Sequence, residues 1–179
     1  METEAPCAIV SEHWESLRLA AGLGPIVELA CGRGRIACAV ADRGLPVVGI
    51  DRDAARLCEL AQTARARGLP VTPVRADLEC GHGLPLRPGS CGALLVFRYL
   101  YRPLTVAIAD AIAPGGLLLY ETFTIHQKDL PYGPSRADFL LRQGELPRLF
   151  AGLEILSHWE GWSDGERPSA LARLVARRP

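Results

Sequence analysis

The sequence predicts an α/β domain: a mostly parallel seven-stranded sheet with helices on both faces and an antiparallel strand pair at its C-terminal end. Three observations predict it. Short apolar runs at 25–30, 45–50, 71–74, 93–97 and 117–123 alternate with helical patterns, as strands buried on both faces do. Glycines stand where strands hand over to helices. The last two apolar runs, 153–162 and 169–176, are joined only by a turn around Ser163-Asp164-Gly165, too short for a crossover, so they pair antiparallel.

The elements follow in order. Residues 11–21 read as a leading helix, with Ser11 as a plausible cap and Trp14, Leu17 and Ala21 near one face. Gly32 and Gly34 turn the first strand into a helix over about 35–43. The second strand, with VVGI at its core, ends on Asp51. A helix over 53–67 turns Leu57, Leu60 and Ala61 inward and stops at Gly68. The third strand ends near Asp77, and 81–89 is a Gly/Pro-rich loop. The helix over 103–112 carries Pro103 in its first turn. Pro114-Gly115-Gly116 predicts a tight turn into the fifth strand. A polar loop over 124–138 and a short helix over 144–150 precede the final strand pair.

Nothing divides the 179 residues, so 1–179 is expected to form one domain, with 1–22 as a leading helix and candidate lid. Twenty basic and twenty acidic residues cancel, which argues against a protein that coats nucleic acid. Nineteen of the basic residues are Arg and one is Lys128, a bias read first as a genomic habit. No apolar run is long enough to cross a bilayer, and the start METEAPC lacks a signal pattern. A cytoplasmic protein follows, in which six scattered Cys read as free thiols.

An open parallel sheet binds ligands beyond the carboxyl ends of its strands, so the loops after strands one to five should carry function. Glycines in the segment IVELACGRGRIA admit a ligand close to the backbone, at a helix N-terminus with unpaired N–H groups. Gly32-x-Gly34-x-x-Ala37 also fits a dinucleotide fingerprint, so an NAD-binding oxidoreductase is one reading. Asp51, 17 residues after Gly34, can accept both hydroxyls of a ribose; it can equally cap the following helix. Asp77 can accept from an adenine amino group, beside the apolar wall of Leu78, although Asp after a strand is also a common turn residue.

Taken together, Glu28, the Gly32/Gly34 loop, Asp51, Asp77 and the Ala113-Pro114-Gly115-Gly116 segment resemble the class I, Rossmann-like methyltransferases. The resemblance spans nearly the whole chain in order. It implies S-adenosylmethionine as cofactor and one methyltransferase domain over 1–179. It implies that Ala30, Cys31, Gly32 and Gly34 lie against the methionine part and that Glu28 supports the loop and the methionyl amino group. Asp51 and Arg52 would flank the ribose, and Ala76, Asp77 and Leu78 the adenine. The backbone of Phe97 and Arg98 would approach the amino group. The family pattern has glycine where Ala30 stands, which Ala tolerates if its φ is negative. The Asn/Asp-Pro-Pro-Tyr/Phe signature of amino-methylating nucleic-acid enzymes is replaced by Phe97-Arg98-Tyr99-Leu100. FRYLYRPL, PGGLLLYETFT, FLLRQGEL and LARLVARR resemble the small tellurite-resistance and thiopurine-type branch, which implies a small acceptor, a soft anion or a thiol.

Methyl transfer from a sulfonium is an in-line displacement in which alignment supplies much of the rate. A base is needed only if the nucleophile must lose a proton. Candidates around the acceptor are Trp14, Arg98, Tyr101, Arg102, Thr124 and His126, with Arg98, Tyr101 and His126 as the candidate catalytic groups. Two Arg at one mouth could hold an anion bidentately; Arg102 could equally face water at its helix start. Cys31 reads as a small residue that fits its turn, and Cys80-Gly81-His82 supplies too few ligands for a metal. Besides the oxidoreductase, a non-catalytic cofactor-binding module stays open, as does an RNA or protein acceptor should Arg98, Arg102, Arg136 and Arg142 share a face. None of these patterns fixes an oligomeric state.

Overall fold

The computed structural model describes residues 8–164 and 166–179. The METEAPC start and Gly165 lie outside the described residues. The element order is α1 (Ala8–Glu12), α2 (Trp14–Ala20), β1 (Ile26–Leu29), α3 (Arg35–Ala41), β2 (Val47–Asp51), α4 (Ala54–Arg67), β3 (Val71–Arg75), β4 (Cys91–Phe97), α5 (Thr105–Ala111), β5 (Ile112–Phe123), α6 (Glu145–Leu149), β6 (Glu154–Trp162) and β7 (Ala170–Arg177). One sheet of order β3-β2-β1-β4-β5-β7-β6 holds all seven strands. The β1–β5 pairings are parallel, and β7 runs antiparallel to both neighbours. The expected α/β domain with a terminal antiparallel pair is what the chain forms. Only β7 opposes the common direction, because β6 returns through a crossover and β7 then inserts between it and β5.

The strands are buried on both faces, and their period-2 alternation divides the core. Leu94, Val96, Leu118 and Tyr120 pack with Ile108, Leu146 and Phe150 under α5 and α6. Ala93, Leu95, Leu117, Leu119 and Val175 pack with Ile9, Leu17, Ile36 and Val40 under α1, α2 and α3. Leu57 and Leu60 close α4 over Cys31 and Cys38. Asp53 caps α4, its carboxylate accepting from Ala55 and Arg56 N–H, and Gly68 ends the helix in the left-handed conformation.

Three expectations are corrected. The leading helix is broken at His13, and Ser11 lies inside α1 rather than capping it. Pro114-Gly115-Gly116 is not a turn before the fifth strand. Strand β5 already pairs through Ile112 with Cys91, and the segment forms an irregularity between that pair and Leu117 with Ala93. The polar loop after β5 contains short 3-10 turns at Ile125–Asp129 and Ala137–Phe139. No helix among the described residues is long and apolar enough to cross a membrane.

Candidate active site

The loop after β1 is shaped by alternating left-handed residues. Ala30, Gly32 and Gly34 have φ of 52°, 55° and 72°. Gly34 meets that requirement without a Cβ, and an added Cβ there would drive into Leu60 of α4. Ala30 meets the same requirement with a Cβ. The condition under which Ala replaces the family's glycine without strain, a negative φ, is not met, and the residue is held in a conformation that costs an L-amino acid roughly 1–2 kcal/mol.

Two acids hold this loop from below. Glu28 is buried and its Oε2 accepts from Ala37 N–H at 2.8 Å, satisfying a first-turn donor of α3. Burial pushes its carboxyl up to about 8, against the opposing pull of the Ala37 bond. Asp51 Oδ2 accepts from Gly32 N–H at 2.7 Å and its Oδ1 from Asp53 N–H at 2.9 Å. A carboxylate offers about four lone-pair sites, so these two bonds leave capacity for ligand hydroxyls. Asp53, not Asp51, is the helix cap.

Above the loop, a cavity of about 220 Å³ opens at the carboxyl ends of β1 to β4. Ala30, Asp51, Arg52, Ala76, Asp77, Leu78 and Arg98, each expected to touch a cofactor, all line it. Glu28, Cys31 and Phe97 are buried beneath it, and Gly32 and Gly34 shape its floor without lining it. Burial, and then the charges of Glu28 and Asp51, push the Cys31 thiol up to about 12, so it is no nucleophile at neutral pH. Asp77 Oδ1 accepts from Glu79 N–H at 2.9 Å, so the turn expected of an Asp after a strand is present too.

Three further residues complete the wall: Arg56, Glu79 and Tyr99. Glu79 lies 3.7 Å from Arg52. Among the described residues, the Tyr99 hydroxyl is the one buried side-chain polar atom without a hydrogen-bond partner, and burial, then Glu79, raises its pKa. The sequence leaves Tyr99 open between core and pocket, on the same side as Tyr101; Tyr99 lines this cavity and Tyr101 does not. Arg56 carries no sequence signal, since it lies one turn into a helix.

Arg98 closes the cavity toward β5. It is the second non-glycine residue with positive φ, at 58°, and its N–H donates to the Glu121 carbonyl at 2.8 Å. Its guanidinium lies 3.3 Å from the Glu121 carboxylate and 4.6 Å from the centroid of the Phe123 ring.

The remaining candidates do not gather at this mouth. Arg102, a third exposed, is already paired. It grips Glu145 through two bonds of 2.7 and 2.9 Å and donates to the Asp138 and Leu140 carbonyls, both at 2.9 Å. Tyr101 lines a cleft of its own with Arg102, Arg136 and Phe139. Thr124 and His126 line a third cleft with His158, Glu160 and Trp162. Trp14 lies under the guanidinium of Arg43, 3.6 Å from its ring centroid, and packs on the core beneath α1 and α2. Of the four Arg that would have made a basic face, Arg98, Arg102 and Arg136 each stand against a carboxylate. Among the described residues no three His, Cys, Asp or Glu come together to hold a metal.

The donor set fits S-adenosylmethionine: two acids for hydroxyl and amino donors, an apolar wall at Leu78, and a floor of backbone free of side-chain bulk. Fold and site together define a class I, S-adenosylmethionine-dependent methyltransferase. The chain belongs to the methyltransferase-domain family, whose profile matches residues 26–116. No curated protein matches the chain in sequence.

Solved structures share the fold at low identity. TehB from Haemophilus influenzae is 16% identical with a TM-score of 0.72; the alignment covers 93% of this chain and 62% of TehB, so the chain spans less than two thirds of that protein. A geranyl diphosphate C-methyltransferase from Streptomyces coelicolor, solved with Mg2+, geranyl diphosphate and S-adenosylhomocysteine, is 17% identical with a TM-score of 0.67 over 94% of this chain and 80% of its own. The [4+2]-cyclase SpnF is 18% identical with a TM-score of 0.69 over 100% of this chain and 84% of its own.

Proposed function

We propose that this methyltransferase acts on a small acceptor, a soft anion such as tellurite or selenite, or a thiol, by in-line transfer. S-adenosylmethionine supplies a methyl group on a sulfonium with a neutral leaving group. The chain's own residues do the rest. Asp51 would accept from the ribose and Asp77 from the adenine, with Leu78 and Tyr99 forming the adenine wall. Glu28 holds the helix and loop that receive the methionine part.

The observation that carries the acceptor reading is the position of Arg98. It is the cation at the β5 end of the cavity, fixed by its own backbone, by Glu121 and by Phe123. His126, the base expected from sequence, lines a cleft other than the cofactor cavity. A soft anion or thiolate needs no base, so in-line alignment and a fixed cation suffice. The resemblance of FRYLYRPL and PGGLLLYETFT to the small tellurite-resistance and thiopurine-type branch is in keeping with this choice of acceptor.

The test is a methyl-transfer panel of selenite, tellurite, alkyl and aryl thiols, and an RNA mixture. Turnover on an oxyanion or a thiol is expected, with a KM for the anionic acceptors that rises at least tenfold in Arg98→Met. Turnover confined to RNA would overturn the acceptor reading.

A further inference from the structure

The order β5-β7-β6 leaves a groove at the carboxyl ends of β5 and β6. His158, Glu160 and Trp162 alternate along β6, so they stand on one face of the sheet. They pair across to Leu174, Ala172 and Ala170 on β7. On the far side of β7, Thr124 N–H donates to the Ala170 carbonyl at 2.9 Å. The tall side chains of the edge strand thus stand beside a low floor of Ala170 and Thr124, both small and buried. His126 and the ridge at Gln143 and Gly144 form the other wall. The cleft between them measures about 440 Å³, a size that suits a small molecule.

Its charge is one-sided. Among the described residues no Arg or Lys lines the cleft, and Glu160 is the one carboxylate that does. Glu160 also has a structural task, since its Oε2 accepts from Gly144 N–H at 2.9 Å just ahead of α6. That bond fixes the carboxylate while using one of its roughly four lone-pair sites. Trp162, at the mouth of the same cleft, is 51% exposed. A carboxylate and an open indole face on one cleft suit an organic cation. The ring attracts the charge through its quadrupole, and the carboxylate accepts the N–H bonds. The Thr124 hydroxyl and a neutral imidazole of His126 or His158 are further acceptors. A neutral ligand would forgo the attraction of Glu160, and an anion would be repelled by it.

We propose that this cleft is a second ligand site, which binds a small organic amine as its ammonium ion, with the charge against Glu160 and the apolar body against Trp162. No described residue lines both this cleft and the cofactor cavity, which opens at the ends of β1 to β4. Both lie on the edge of the sheet where open parallel sheets bind ligands. The proposal goes beyond the methyltransferase reading and does not depend on it.

The test is a titration of the isotope-labelled full chain with benzylamine, benzyl alcohol and sodium benzoate, read from amide chemical shifts. Benzylamine should shift the amides of Thr124, Gly144 and Gly161 saturably, and the neutral and anionic analogues should bind at least tenfold more weakly. Glu160→Gln keeps an oxygen for Gly144 but loses the charge, and should weaken benzylamine at least tenfold. Trp162→Leu changes an exposed side chain and should weaken it at least threefold, which preserves the test should the Gln variant not fold. Affinity for S-adenosylhomocysteine should stay within twofold in both. Wild type that does not bind benzylamine, shifts confined to other parts of the chain, benzyl alcohol that binds as tightly, or either variant binding benzylamine like wild type overturns the proposal. A chain that binds benzylamine here but not S-adenosylhomocysteine would instead sink the methyltransferase reading and leave the amine site standing.

Discussion

Ala30 carries the clearest strain in the cofactor loop. Its φ of 52° is one that only glycine adopts freely. Ala30→Gly removes the clash of Cβ with the following carbonyl but adds freedom to the unfolded chain, and the two effects partly cancel. The variant is expected to be more stable by about 0.5–1 kcal/mol in urea denaturation; a loss of stability would show that Ala30 packs better than its backbone implies. Glu28 sets a pH dependence by the same residue-level logic. Its carboxyl sits near 8 in the folded chain and near 4.5 when unfolded. Between these values the folded state holds a proton that the unfolded state releases, so folding weakens as pH rises through that window. Below 4.5 both states are protonated and the effect is absent. The slope is bounded by about 1.4 kcal/mol per pH unit. Urea midpoints from pH 5 to 8 should fall for wild type, and Glu28→Gln should remove much of that fall.

At the scale of elements, Arg102 ties the segment between β5 and β6 to the turn before α5, while Gln127, Tyr132 and Glu160 hold other points of it. Arg102, in the 3-10 turn before α5, reaches across to Glu145 at the start of α6 and to two carbonyls around the 137–139 turn. Charge-assisted bonds of this kind are worth about 1.5–3 kcal/mol where they are sheltered. The pair is 33% and 15% exposed, so screening lowers that figure. Arg102→Met should cost about 1–2 kcal/mol and speed amide hydrogen exchange over 136–145, while affinity for S-adenosylhomocysteine changes less than twofold. A large loss of cofactor affinity would place Arg102 in the binding machinery instead. The ridge that Arg102 holds, at Gln143 and Gly144, also borders the cleft of Thr124 and His126. This accounts for the separation of Tyr101 from His126: a loop that reads as one polar stretch folds into a divider.

Across the whole molecule, the sheet and the cofactor cavity were legible because their signals are local. Apolar runs, glycines and the acids Glu28, Asp51 and Asp77 near the ends of the first three strands fix strands, turns and the lining of the cavity within a few residues of one another. The acceptor side was less legible because its contacts are long-range. Arg102 and Glu145 lie 43 residues apart, and Glu121 and Arg173 lie 52 apart. One signal was present nonetheless: Glu121 in LLLYETF and Arg173 in LARLVA are single charges inside buried stretches, which must find each other or a ligand. The fold itself does not decide the chemistry, since a cyclase shares it as fully as a C-methyltransferase does. In the proposed reading, Asp51 and Asp77, which line one cavity, select the cofactor. The most direct measurement is calorimetry of wild type and Asp51→Ala with S-adenosylhomocysteine and with NAD. Wild type should bind S-adenosylhomocysteine and not NAD, and Asp51→Ala should lose at least tenfold in affinity. Binding of NAD in place of S-adenosylhomocysteine, or an Asp51→Ala protein that binds S-adenosylhomocysteine like wild type, would contradict the account.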